Sequence, residues 1–238
     1  MSEWKSKRFW DQAAVEEVQG GFTVMLDGRG VKTPGQAPLV VPTSALAEAI
    51  AAEWAAQAEI IDPLSMPATR AANSAIEKIR PHRAAVISAL AAYGESDLLC
   101  YRADGPEELV ARQAAVWDPL LEWARVDLGA NLRTTIGVIF VSQDPGAMAA
   151  LRAPLDGATA FELSGLHDLI TLSGSLVIGL KARELDEVES LWQASRVDET
   201  FQADEWGYDE EAVAAAEAKR DAFKAAHRFY LMSQKPAS

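Results

Sequence analysis

The chain has 238 residues, enough for one large domain or two small ones, and 49% of them are hydrophobic, a globular proportion. Twenty-two basic against thirty-five acidic side chains leave a net charge of −13. Such a balance repels phosphate backbones and anionic membranes, which argues against nucleic acid or lipid surfaces as partners.

The opening, Met1 to Trp10, has no apolar stretch of signal-peptide length and carries an acid at Glu3. It lacks secretory character, and it is too short and too acidic for an organelle transit peptide, so the expected location is cytoplasmic. Alternation over Ala14–Val18, a Gly20-Gly21 turn and the run Phe22 to Asp27 predict a β-hairpin. Gly28-Arg29-Gly30 makes a second tight turn into Val31–Thr33, which Pro34-Gly35 ends, and Leu39–Val41 is another short strand before Pro42. Residues 1–42 therefore read as a β-rich N-terminal module, its boundary left open toward the first helix.

Thr43 is a good N-cap for the strongly helical stretch from Ser44 to Gln57, and Trp54 near its end reads as an anchor that fixes the helix to the sheet. From 43 to 238 the chain is mainly helical. Helices are expected near 69–80, 82–94, 106–129, 145–153, 158–173, 183–203 and 209–233, with Pro63, Pro67, Pro81, Pro106 and Pro145 punctuating their starts. Cys100, the single cysteine, sits in the apolar run Leu98-Leu99-Cys100-Tyr101. It excludes an internal disulfide and a cysteine-rich metal site, and reads as a small buried hydrophobe in a reducing compartment. Thr134–Val141 is the one late segment with strand propensity, and its apolar part from Ile136 to Val141 suits a buried strand. The fold class is α+β, a small antiparallel β module followed by a mainly helical domain.

Signatures of catalysis are poor. His82, His167 and His227 stand apart in different helices, without ligands at metal-site spacing, and His167 beside Asp168 reads as a packed or hydrogen-bonded histidine. Gly28-Arg29-Gly30 lacks the third glycine of a phosphate loop, and a strand follows it rather than a helix. Ser164-Gly165 and Ser173-Gly174-Ser175 lack the strand and helix that flank a nucleophile elbow. Glu187 with Glu189, or Glu199 with Asp204, could pair for acid–base work only in a desolvating pocket, and a solvated face is the default. Arg112, Gln113, Trp117 and Trp123 share a broad face with Leu109, Leu120 and Leu121 that a core seam explains.

The most informative stretch is Arg196 to Glu211, where Phe201, Trp206 and Tyr208 stand among Asp198, Glu199, Asp204, Glu205, Asp209, Glu210 and Glu211. Two readings remain open. The rings anchor a protein partner that the carboxylates select, or they pack a helix end into the core while the acids face water.

Several segments, in order, resemble the assembly chaperones that bind the α subunit of the soluble ATP synthase sector. They are Lys7-Arg8-Phe9-Trp10, Gly20-Gly21-Phe22 through Arg29, Lys32-Thr33-Pro34, Ala49 through Gln57, and Met66-Pro67-Ala68-Thr69. They continue with Asp97 through Arg102, Arg112-Gln113, Trp117 through Trp123, and Ser195-Arg196 through Phe201-Gln202 to Trp206-Gly207. The resemblance implies a small β module joined to an orthogonal helical bundle. It implies no catalysis, no cofactor and no metal, and transient binding to the free α subunit that shields its subunit interface and prevents aggregation. The family's important acid in a Ser-Arg-X-acid-acid segment falls on Glu199, preceded by Asp198; Thr200 stands where a third acid is often found. The expected partner-binding residues are thus Glu199, Asp198, Asp204, Glu205, Trp206 and Phe201, in a protein that is monomeric when free. The alternatives are a small-molecule enzyme using carboxylates and His167 in a pocket between domains, or a binding module for another basic protein.

Overall fold

The structure, a computed structural model, describes residues 7–235, so the first six residues of the segment read as lacking a leader lie outside the described residues. The chain divides into two compact units. One comprises the residues up to Arg83, Thr159–Gly165 and the chain from Arg228 on; the other comprises Ala84–Ala158 and Leu166–His227.

In the first unit, β1 (Ala13–Val18) and β2 (Gly21–Leu26) form the expected hairpin, with Val15 opposite Val24. Both β3 (Arg29–Gly30) and β4 (Val40–Val41) pair antiparallel with the other edge of β2. Helix α1 (Ser44–Ala55) lies on this sheet, and Val24, Leu26, Leu39, Val41, Leu46 and Ile50 close a common core. The Thr43 hydroxyl accepts from the Leu46 amide at 3.2 Å, as an N-cap should. Trp54 packs edge-on against Trp10, ring centroids 5.1 Å apart, which makes it the anchor it was expected to be. Helix α2 (Pro67–Ser74) starts two residues before its expected first residue because Glu53 caps it. That carboxylate accepts from the amides of Ala68 at 2.6 Å and Thr69 at 2.8 Å, and from the Thr69 hydroxyl at 2.7 Å. The division at residue 42 follows the change from strand to helix. Compactness runs on to Arg83, since α1 and α2 bury apolar faces in the same core as the strands.

The second unit holds most of α3 (Arg83–Ala91), then β5 (Tyr101–Arg102), α4 (Glu107–Asp127), β6 (Thr135–Ile136) and α5 (Pro145–Gly157). It goes on through the later part of α6 (Ala160–Ser173), then α7 (Leu176–Lys181), α8 (Glu189–Ala194), α9 (Val197–Trp206) and α10 (Glu210–Ser233) up to His227. Every residue from Leu176 to Leu180 is buried, the mark of a helix wrapped on all sides by core. Asp97 is fully buried, its carboxyl accepting from the amides of Leu99 at 3.1 Å and Val177 at 3.0 Å. Burial pushes its pKa up to about 6 against these hydrogen bonds, and the same desolvation pushes the neighbouring Cys100 thiol up to about 12. Cys100 is the buried thiol its apolar setting predicted.

Three expectations fail on physical grounds. The tight turn expected at Gly28-Arg29-Gly30 is made one residue earlier by Asp27 and Gly28, both at positive φ, so Arg29–Gly30 pair as β3 in place of Val31–Thr33. The helix expected over 183–203 is broken into α8 and α9. The buried His227 ring donates from Nε2 to the Leu185 carbonyl at 2.9 Å, holding the connection before α8 out of helical pairing. At the far end of α8 the Ser195 hydroxyl takes the Trp192 carbonyl at 2.7 Å. The apolar run from Ile136 is not a buried strand. Strand β5 offers only two residues to pair with, and Gly137, at φ 71°, turns the chain away. Ile136, Val138, Ile139 and Phe140 consequently face solvent.

Candidate functional site

Helix α9 is gripped along one face by α4. The buried Gln113 amide accepts from the Ala103 backbone at 2.9 Å and donates to Asp198 Oδ1 at 2.6 Å. Trp117, fully buried, donates from Nε1 to the Ala194 carbonyl at 2.7 Å. Arg112 donates to Asp204 Oδ2 and to Glu108 Oε1, both at 2.8 Å, and its guanidinium lies 5.2 Å from the Phe201 ring centre. The Tyr208 hydroxyl donates to the other Asp204 oxygen at 2.6 Å. That hydrogen bond first, and Arg112 second, hold the Asp204 carboxyl below the usual carboxylate range. The seam read from Arg112, Gln113 and Trp117 is therefore a support, Trp117 holding the end of α8 and Arg112 and Gln113 holding α9.

The opposite face of α9 is free. Glu199, Ala203 and Trp206 follow one another at four- and three-residue steps, the spacing of one helical face. They form one wall of a groove of about 640 Å³, with the beginning of α10 as the other wall. Gly207, at φ 96°, makes the turn between the walls. Trp206 is 81% exposed and Tyr208 66%, with Val213 partly exposed across from them. Deeper in, Trp192 packs against Phe223, ring centroids 5.7 Å apart, and Arg196 lies over Trp192. Acids edge the groove. Glu199 accepts from Arg196 Nη1 at 2.7 Å, and Glu189 accepts from Arg220 at 2.8 Å and Lys224 at 2.6 Å. Lys224 first, and Arg220 after it, lower the pKa of Glu189.

The six residues singled out in the sequence thus separate. Glu199 and Trp206 line the groove. Asp198, Phe201 and Asp204 turn toward α4, where Phe201 is buried and the two aspartates are hydrogen-bonded. Glu205 is exposed and lies outside the groove lining. Of the two readings left open for the rings, packing into the core describes Phe201 and exposure describes Trp206, because Trp206 sits nearly half a turn round from the α4 face. Arg196 and Val213 were not among the expected site residues, and Glu189 was read only as a possible acid–base partner of Glu187. The four- and three-residue steps from Glu199 to Trp206 could have marked the first wall, but nothing in the pattern announces the wall across the turn.

His167 is half exposed, with Nδ1 2.8 Å from Asp168 Oδ1, and is not part of the groove. Among the described residues no group of three or more His, Cys, Asp or Glu side chains could hold a metal ion, and no helix is long and apolar enough to cross a membrane. What the groove offers chemically is apolar contact through Trp206, Tyr208 and Val213 beside carboxylates already in salt-exchangeable pairs. That combination is chemically complementary to a segment carrying an apolar side chain next to a basic one.

The family model described as ATP12 chaperone protein matches residues 7–125. Among solved structures, Atp12 from Paracoccus denitrificans is 49% identical, with a TM-score of 0.93 over 98% of this chain and 100% of that one. An aspartate-to-lysine mutant of the same Paracoccus protein gives the same values. The Atu1473 protein from Agrobacterium tumefaciens is 39% identical, with a TM-score of 0.92 over 96% of this chain and 86% of that one.

Proposed function

The chain belongs to the ATP12 chaperone family, and from that premise we propose that it assembles the ATP synthase by binding the free α subunit of its soluble catalytic sector. It covers the face of that subunit that later meets a neighbour, keeps it from aggregating, and does so as a monomer in the cytoplasm without turnover. A ring subunit without its neighbour exposes apolar surface that drives aggregation. A chaperone must cover that surface and then release it.

The observation that carries the reading is the groove of α9. One helix face is fixed by α4 through Gln113 and Arg112, while the other leaves Trp206 in water beside Glu199. A large ring carried on a supported helix has its backbone ordered before a partner arrives, which favours binding. Glu199 is paired with Arg196 in a half-exposed contact, and such a pair contributes little to folding. It can exchange Arg196 for a lysine or arginine of the α subunit. Capture of purified α subunit by wild type, Glu199→Lys and Trp206→Ala tests this. Both variants should keep the wild-type circular dichroism and melting temperature and lose capture, Glu199→Lys most strongly at low salt. Undiminished capture by both would remove the groove from the interface.

A further inference from the structure

The apolar loop after β6 stands apart from the groove and is built to be presented. From Thr134 to Gln143 the chain carries no charged residue, in a protein of net charge −13. Ile136, Val138, Ile139 and Phe140 are 65%, 93%, 74% and 61% exposed. Isolated exposed hydrophobes are ordinary; four within five residues, without a charge among them, are a patch. The base of the loop is clamped. The buried Gln143 side chain accepts from the Arg133 amide at 2.8 Å and donates to the Arg133 carbonyl at 2.9 Å, closing the loop as a strand pair would. Arg133 also donates from Nη1 to the Ser142 carbonyl at 3.2 Å, and Gln143 N–H donates to Glu95 at 3.3 Å. On the entry side, Gly137 N–H donates to the Arg102 carbonyl at 2.7 Å.

We propose that this loop is a second contact with the client, an apolar finger that enters an uncharged hydrophobic cleft left open on the free α subunit; this rests on the reading given above. Three features favour that occupant. A second copy of this chain would bring another −13 charges against the first. Four side chains also bury far less than the roughly 1,200–2,000 Å² of a stable standard interface. An anionic bilayer meets the same repulsion, and no cation lies within the loop to offset it. A subunit awaiting its neighbour presents the complementary surface, dry and apolar. The finger then supplies contact that salt does not screen, while the acidic groove supplies selection that salt does screen.

The test compares wild type with Val138→Asn/Ile139→Asn, a pair that keeps the net charge and removes exposed apolar surface only. Capture of α subunit and suppression of its aggregation, read by light scattering, should fall at least tenfold at both low and high salt, with the melting temperature unchanged. Wild-type capture by the double variant would overturn the proposal while leaving the α-subunit reading intact. Failure of wild type itself to capture the α subunit would remove both. A wild-type dimer in sedimentation that the variant abolishes would make the loop a self-contact. Flotation of wild type, but not the variant, with phosphatidylcholine vesicles at unchanged α-subunit capture would make it a lipid contact. Either result overturns the finger.

Discussion

Replacing Asp97 with asparagine changes the pH dependence of folding in a way that burial alone dictates. The carboxyl is fully buried, and its pKa is raised from 3.8 to about 6. Between those values the folded chain keeps the proton that the unfolded chain has lost. Stability therefore falls as pH rises, by about 1.4 kcal/mol per unit, and the loss is complete above pH 6 at about 3 kcal/mol. Asparagine does not titrate, so the margin of wild type over Asp97→Asn should narrow by about 3 kcal/mol between pH 4 and pH 7. A second effect runs the other way. The amides of Leu99 and Val177 point at different carboxyl oxygens, and asparagine offers only one acceptor. One N–H is left facing an NH₂ group, at a cost of about 1–3 kcal/mol. The variant should be clearly the weaker protein at pH 4 and draw level near pH 7. Urea unfolding of both proteins, followed by circular dichroism at each pH unit, measures the margin. A margin that stays constant or widens with pH would show a carboxylate ionised throughout, with the hydrogen bonds outweighing desolvation.

Trp117→Phe keeps most of the ring volume but removes the N–H held by the Ala194 carbonyl, and should cost about 1–2 kcal/mol in urea unfolding. A cost below a few tenths would mean that the carbonyl finds another donor. Gly179→Ala places a Cβ 2.4 Å from Ile170 Cγ1 and 3.2 Å from the Ile170 nitrogen. In the close-packed setting of α7 this should lower stability by about 1–3 kcal/mol, read in the same assay; a neutral result would show that α6 and α7 can move apart at no cost.

The hairpin, the N-cap at Thr43 and the proline-punctuated helix starts were legible because each is local: strand alternation, a capping hydroxyl and a missing N–H act over a few residues. What the sequence hid depended on partners distant in the chain. Glu53 caps a helix that begins fourteen residues later at Pro67. His227 interrupts a helix by reaching back to Leu185. Periodicity sees neither. Ile136–Val141 misled for a related reason: strand propensity measures fit to a pleated surface, and here only two residues of β5 were present to supply one. At the site, the helical spacing of Glu199 and Trp206 could be read, but which side of α9 would be covered depended on Gln113 and Arg112, 85 and 92 residues from their partners.

On the proposed reading, the two faces of α9 let recognition and release coexist. Were Trp206 packed like Phe201, it would contribute to folding and be unavailable; were Phe201 as exposed as Trp206, the helix would lose the contact that Arg112 covers. Rigid support means that the backbone under Trp206 is already ordered when a partner binds. The surface it presents is narrow, however, and Glu199 already has a cation in Arg196 that any partner must displace. Exchanging one cation for another at a half-exposed carboxylate adds little net energy, so affinity stays moderate although selection between basic and acidic partners remains. The proposed role, in which the client is yielded to a larger subunit interface, calls for that balance.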